Sequence, residues 1–181
     1  MEKEGFSHKY LPEFVYGGID GAVTTFAIVA GSLGASLSAS IILILGFANL
    51  FADGFSMALS NYLSMKSQAE LHLNHKDSKF YRRQTKHPVK TGLMTFISFV
   101  AIGFIPLFSF VLAIFTPISP SAKLTISAIL TAFAFIIVGG IRGKVVGKHY
   151  FKTSMETFVI GALAAVIAFF VGYILRGLVG Y

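Results

Sequence analysis

The segment "NLFADGFSMALSNYLSMKSQAE", residues 49–70, sets Asn49, Asp53, Met57, Asn61 and Met65 at every fourth position. On a helix that interval drifts by only about 40° per step, so the five side chains form one stripe, shared by Ser60 and Ser64. Carboxylate and amide oxygens suit hard or borderline divalent cations, and a thioether adds a soft ligand that favours iron, cobalt or copper over calcium or magnesium. The stripe therefore reads as a track for a transition-metal cation. Met57 and Met65 also have a plainer use as gap-filling core residues, and Asp53 one turn away is what raises the case for Met57 as a ligand.

A second segment, "YGGIDGAVTTFAIVAG", places Asp20 inside another apolar run. Glu13 and Asp20 are seven positions apart, hence on one side of a helix and about 10.5 Å apart along its axis, with Tyr16 and Thr24 a turn either side of Asp20. Gly17 and Gly21 form a small-xxx-small pair that admits another helix close to Asp20, as a shared ion site needs. As a dimerisation signal the pair is weak in a chain with 18 glycines. Gly139, Gly143 and Gly147, and Gly161 with Ala165, are expected to serve ordinary helix packing. An ionisable group in hydrocarbon costs at least about 2.5–3.5 kcal/mol, so acids at that depth default to ion or proton pathways. The structural alternative is an aspartate that hydrogen-bonds a neighbouring helix or faces a water pocket.

The elements that must carry these residues follow from composition. With 55% hydrophobic residues, 13% charged residues and a mean hydropathy of +0.74, the chain of 181 residues reads as an all-α integral membrane protein. Five apolar runs have the length of about 20 residues that a bilayer requires. They lie at Val15–Leu33, Ser40–Met65, Thr91–Phe115, Leu124–Val146 and Thr157–Leu175, in one transmembrane domain over residues 1–181. The first run is long and interrupted by Asp20, unlike a cleaved signal peptide. No cysteine is present, which excludes disulfides and zinc–thiolate sites.

Thirteen of the 15 Lys and Arg fall in the N-terminal segment and in the loops after the second and fourth runs, leaving only Lys123 and Arg176 on the other side. The positive-inside rule then puts the N-terminus in the cytoplasm and the C-terminus across the membrane. Because the basic residues sit in short inter-helix loops, the net charge of +7 is a poor argument for nucleic-acid binding. The loop "KFYRRQTKHPVK" can rest on anionic headgroups. His72 and His75 could clip a metal if their segment were helical, against the plainer reading of a solvated loop. Thr153 and Glu156 read as a T-x-x-E capping box opening the fifth helix, with a place at the ion entrance as the second reading of Glu156.

The stretches "IDGAVTTFAIVAG" and "NLFADGFSMALSNYLSMKSQAE" resemble the paired first and second helices of the vacuolar iron transporter family, and "FVIGALAAVIAFFVGYIL" resembles that family's last helix. The resemblance implies a five-helix protomer, a homodimer with the ion path between two copies of helix one, and export of Fe²⁺ or Mn²⁺ from the cytoplasm in exchange for protons. It assigns ion contacts to Asp20 and Met57. Two departures stand out. Asn49 and Asn61 occupy positions where many members have glutamates, and Asp53 can restore one charge a turn away. Residues 66–90 hold only Glu70 and Asp77 as acids, against seven basic residues, where metal-sensing members have a long Glu-rich domain.

The expected function is thus a proton-coupled exporter of divalent transition metal, with Asp20, Asp53, Met57, Asn49, Asn61 and Glu13 as metal residues. A buried carboxylate can hold a proton or a metal ion, so the two compete. No enzymatic chemistry and no resident cofactor are expected, since nucleophile–base pairs, phosphate loops and nucleotide motifs are lacking. The alternatives are a non-transporting helical scaffold or lipid-binding regulator, and a monovalent-cation channel, which would not need methionine. The minimal loops and lack of a presequence lean toward a cell's inner or plasma membrane over an organellar one.

Overall fold

A computed structural model describes residues 6–73 and 86–179. Its elements are α1 (Phe6–Gly34), α2 (Ala39–Leu73), α3 (Pro88–Gly103), a 3₁₀ turn (Ile105–Leu107), α4 (Phe108–Phe115), α5 (Pro120–Val145) and α6 (Tyr150–Val179). No strand occurs among the described residues. Five spans are long and apolar enough to cross a membrane, with α3, the turn and α4 together forming the third. The protein is an all-α integral membrane protein.

The helices outrun the apolar stretches that announce them. α1 begins at Phe6 and continues through Pro12, and α2 runs on to Leu73, because hydropathy marks only the part of a helix that lipid covers. α6 begins at Tyr150, and this overturns the expected capping box. Thr153 lies inside the helix, its hydroxyl donating to the Tyr150 carbonyl at 2.9 Å, and Glu156 is paired with Arg142 instead of folding back on a helix start.

The third span is not continuous. Pro106 supplies no N–H and its ring crowds the preceding turn, so the α-helix stops at Gly103 and resumes at Phe108. The break is satisfied from α5, where the Ser127 hydroxyl donates to the Pro106 carbonyl at 2.6 Å. Ser119 caps α5 by accepting from the Ala122 N–H, with Pro120 in the first turn.

α1 is the central helix, packed on α3 and α6 along its length and touching α2 and α5 more lightly. Two sets of small residues allow this. Gly17 and Gly21 lie against the Thr95 and Phe99 carbonyls of α3, and Gly31 and Gly34 lie against the backbone of α6 at Ala168 and Phe169. The Gly17/Gly21 pair therefore joins two helices of one protomer. Gly139 and Gly143 pack on the start of α6, and Gly161 meets the Phe135 ring. Gly147 differs from the expectation: a Cβ there would meet open space, and the residue serves the turn after α5 through its φ of +66°.

The core joins α1, α2 and the broken third span through Val29, Ile42, Leu50, Phe99, Leu107 and Phe110. Buried hydroxyls bond carbonyls one turn back, as those of Thr95, Thr131 and Thr157 do, or on another element, as those of Ser109 and Ser154 do.

Candidate metal path

Asp20 stands at the middle of α1 and Asp53 near the middle of α2, both half-buried. The two helices touch, and each carboxylate lies near the middle of its own helix. No third acid or histidine joins them to make a cluster among the described residues. Like charges in a medium of low dielectric need a counter-charge, and a divalent cation or a proton supplies one.

Each half of the bundle has a groove leading toward this level. On the side of the basic loops, a groove of about 330 Å³ runs between α1 and the end of α5, lined by Pro12, Val15, Tyr16, Ile19 and Asp20 and by Arg142, Val145 and Val146. On the opposite half, a groove of about 590 Å³ between α1 and α2 is lined by Ile28, Ser32, Asn49 and Ala52 among others. Asn49 faces this second groove with its amide nitrogen buried and unpartnered.

The remaining expected residues divide. Asn61 donates its amide to the Thr95 hydroxyl of α3 at 2.7 Å, which fixes its side chain and leaves its carbonyl oxygen as the available group. Met57, one turn beyond Asp53, is partly buried and packs against the hydrophobic core. Glu13 is held by Lys86, with Oε1 at 2.6 Å from Nζ, and its other oxygen is buried without a partner. That pair ties α1 to the segment leading into α3, beside a second tie in which the His87 N–H donates to the Tyr10 hydroxyl at 3.3 Å. The His72–His75 clip lies outside the residues whose side chains are described.

Three groups escaped the sequence reading: Lys86 as the partner of Glu13, Thr95 as the anchor of Asn61, and Arg142 in the groove of Asp20. Each joins residues far apart in the chain, as Glu13 and Lys86 are at a separation of 73 positions, and nothing in the local pattern marks them.

Five membrane-spanning helices, two of which carry an aspartate near mid-helix, define a polyhelical integral membrane protein. The chain belongs to the VIT family, whose profile matches residues 11–79 and 70–173. It is 27% identical to a vacuolar iron transporter of Toxoplasma gondii, over 96% of this chain and 77% of that protein. It is 25% identical to vacuolar iron transporter 1 of Arabidopsis thaliana, over 93% and 87% of the two chains. A vacuolar iron transporter of Plasmodium berghei is 23% identical over 97% and 85%. The alignment with the Toxoplasma protein spans 232 positions, more than the 181 residues of this chain, so that relative carries segments absent here. The two family matches meet at residues 70–79, just past the Lys66–Glu70 turn of α2.

Proposed function

We propose that this protein is a transporter of divalent transition metal, Fe²⁺ or Mn²⁺, driven by exchange for protons and directed out of the cytoplasm. The observation that supports the reading is that Asp20 lines a groove on one half of the bundle, while Asn49 and Ala52, next to Asp53 in sequence, line a groove on the other. A dication neutralises the pair when metal is bound, and protons neutralise it on the return, so each cargo displaces the other. Asn49, the carbonyl oxygen of Asn61 and the sulfur of Met57 extend the track along α2. Glu13, tied to Lys86, contributes through its unpartnered oxygen on the basic side of the path. The names of the relatives support iron as cargo, and the mixed oxygen and thioether set supports a transition metal over calcium or magnesium. Residues 1–181 act as one transmembrane domain.

The test is flux into proteoliposomes loaded with a pH-sensitive dye. Wild-type protein carries Fe²⁺ or Mn²⁺ with opposed proton movement. Asp20→Asn folds and carries none, because a neutral amide cannot exchange a metal for a proton. Wild-type flux in Asp20→Asn removes Asp20 from the path.

A homodimer through α1 belongs to the same proposal. Its contact falls on the side of Tyr16, which is 58% exposed, because Gly17 and Gly21 are occupied by α3. The chain has no cysteine, so Tyr16→Cys provides a clean single-site cross-link. A disulfide-linked dimer in membranes supports the contact, and its absence under oxidation refutes it.

A further inference from the structure

Arg142 and Glu156 join the end of α5 to the second turn of α6, with Nη1 at 3.1 Å from Oε2. Arg142 also lines the groove that Asp20 lines from α1. The groove's other polar group is the Tyr16 phenol, and the rest of its lining is aliphatic. One cation and one carboxylate thus share an apolar groove. A guanidinium stays charged at any relevant pH and matches a carboxylate in a two-pronged bond. Left to itself, its long side chain has every electrostatic reason to lie on Asp20, where water is scarcer and Coulomb attraction stronger than at the rim. Glu156 offers a rival carboxylate on the next helix, and the carbonyl end of α5 favours a cation where Arg142 now sits.

We infer that Glu156 is a positioning residue that holds Arg142 away from Asp20, and that Arg142 is the groove's built-in competitor with the metal ion. The inference rests on the transport reading for its function. Loss of Glu156 frees the guanidinium to occupy Asp20, and metal must then displace it. Loss of Arg142 removes the competitor, after which Glu156 has nothing to position.

The experiment compares wild type, Glu156→Gln, Arg142→Gln and the double variant. Mn²⁺ flux into proteoliposomes is measured against concentration, and Mn²⁺ binding to the purified protein is measured by electron paramagnetic resonance. Glu156→Gln raises the half-saturating Mn²⁺ concentration about three- to fivefold with maximal flux unchanged, the size a half-exposed ion pair can supply. The double variant returns to the wild-type value or below it. A purely structural ion pair predicts otherwise, since either single change breaks it equally and the second change restores nothing. Wild-type half-saturation in Glu156→Gln, or a double variant as weak as Glu156→Gln, overturns the inference. If Glu156→Gln does not fold, Glu156→Asp carries the test through a smaller shift that Arg142→Gln must erase. Absence of wild-type flux refutes transport, while the order of Mn²⁺ affinities still decides the role of Glu156.

Discussion

Replacing Gly21 by alanine tests how the site is positioned. A Cβ at this position stands 3.0 Å from the carbonyl carbon and the Cα of Phe99 and closer still to the carbonyl oxygen, all backbone atoms of α3. The contact is mutual, because a Cβ on Gly103 would meet the Gly21 carbonyl at 2.8 Å. No rotamer change relieves backbone against backbone, so α1 and α3 must separate. Overpacking of this kind costs about 1–3 kcal/mol. Alanine returns about 1 kcal/mol of helix propensity, leaving a net loss of about 0–2 kcal/mol. Gly177→Ala is the control: nothing lies within 4 Å of that position, so it keeps the propensity gain alone. The propensity gain is common to both, so the two variants should differ by the overpacking cost, about 1–3 kcal/mol. Equilibrium unfolding in mixed micelles, followed by circular dichroism, measures the difference. Gly21→Ala should also lose flux per folded molecule, because Asp20 moves with the displaced helix. Stability equal to that of Gly177→Ala would show that α1 and α3 do not approach this closely and would undo the placement of Asp20.

Met57→Leu nearly conserves volume and should lower melting by little while reducing iron flux severalfold. A lower melting temperature with unchanged flux per folded protein would make Met57 packing only. Asp53→Ala should lose transport, and adding Asn49→Glu should recover part of it, since the positions are about 6 Å apart along one face and glutamate is the longer acid. Equal flux in wild type and Asp53→Ala would take the acid off the path. Lys86→Met leaves Glu13, only 12% exposed, without its cation, and should destabilise the protein by about 1–3 kcal/mol in the same unfolding assay. Full recovery in the double variant Lys86→Met with Glu13→Gln is expected, and failure to recover would show that Lys86 stabilises by another route.

What the sequence determined by itself is whatever a local window can hold. Mean hydropathy and run length sufficed for five spans, because lipid imposes its demand on about 20 consecutive residues at a time. The four-residue beat sufficed to align Asn49, Asp53, Met57 and Asn61, because a helix's periodicity is written along its own sequence. Pro106 sat in plain view inside the third run, but the Ser127 hydroxyl of α5 that bonds the Pro106 carbonyl at the break could not be read from that run. The start of α6 was missed because T-x-x-E is equally compatible with a helix already under way, as the Thr153 bond to Tyr150 shows.

Only the tertiary structure decided how each helix turns about its axis and which neighbour it meets. The glycines at 17 and 21 could have faced a second copy, and they face α3. Glu13 could have pointed along the path with Asp20, and Lys86 claims one of its oxygens. Arg142 reaches the groove of Asp20 only because the α5–α6 hairpin folds back against α1. These outcomes depend on close packing between segments distant in the chain, where shape and charge are matched in three dimensions and leave no periodic trace in either segment alone.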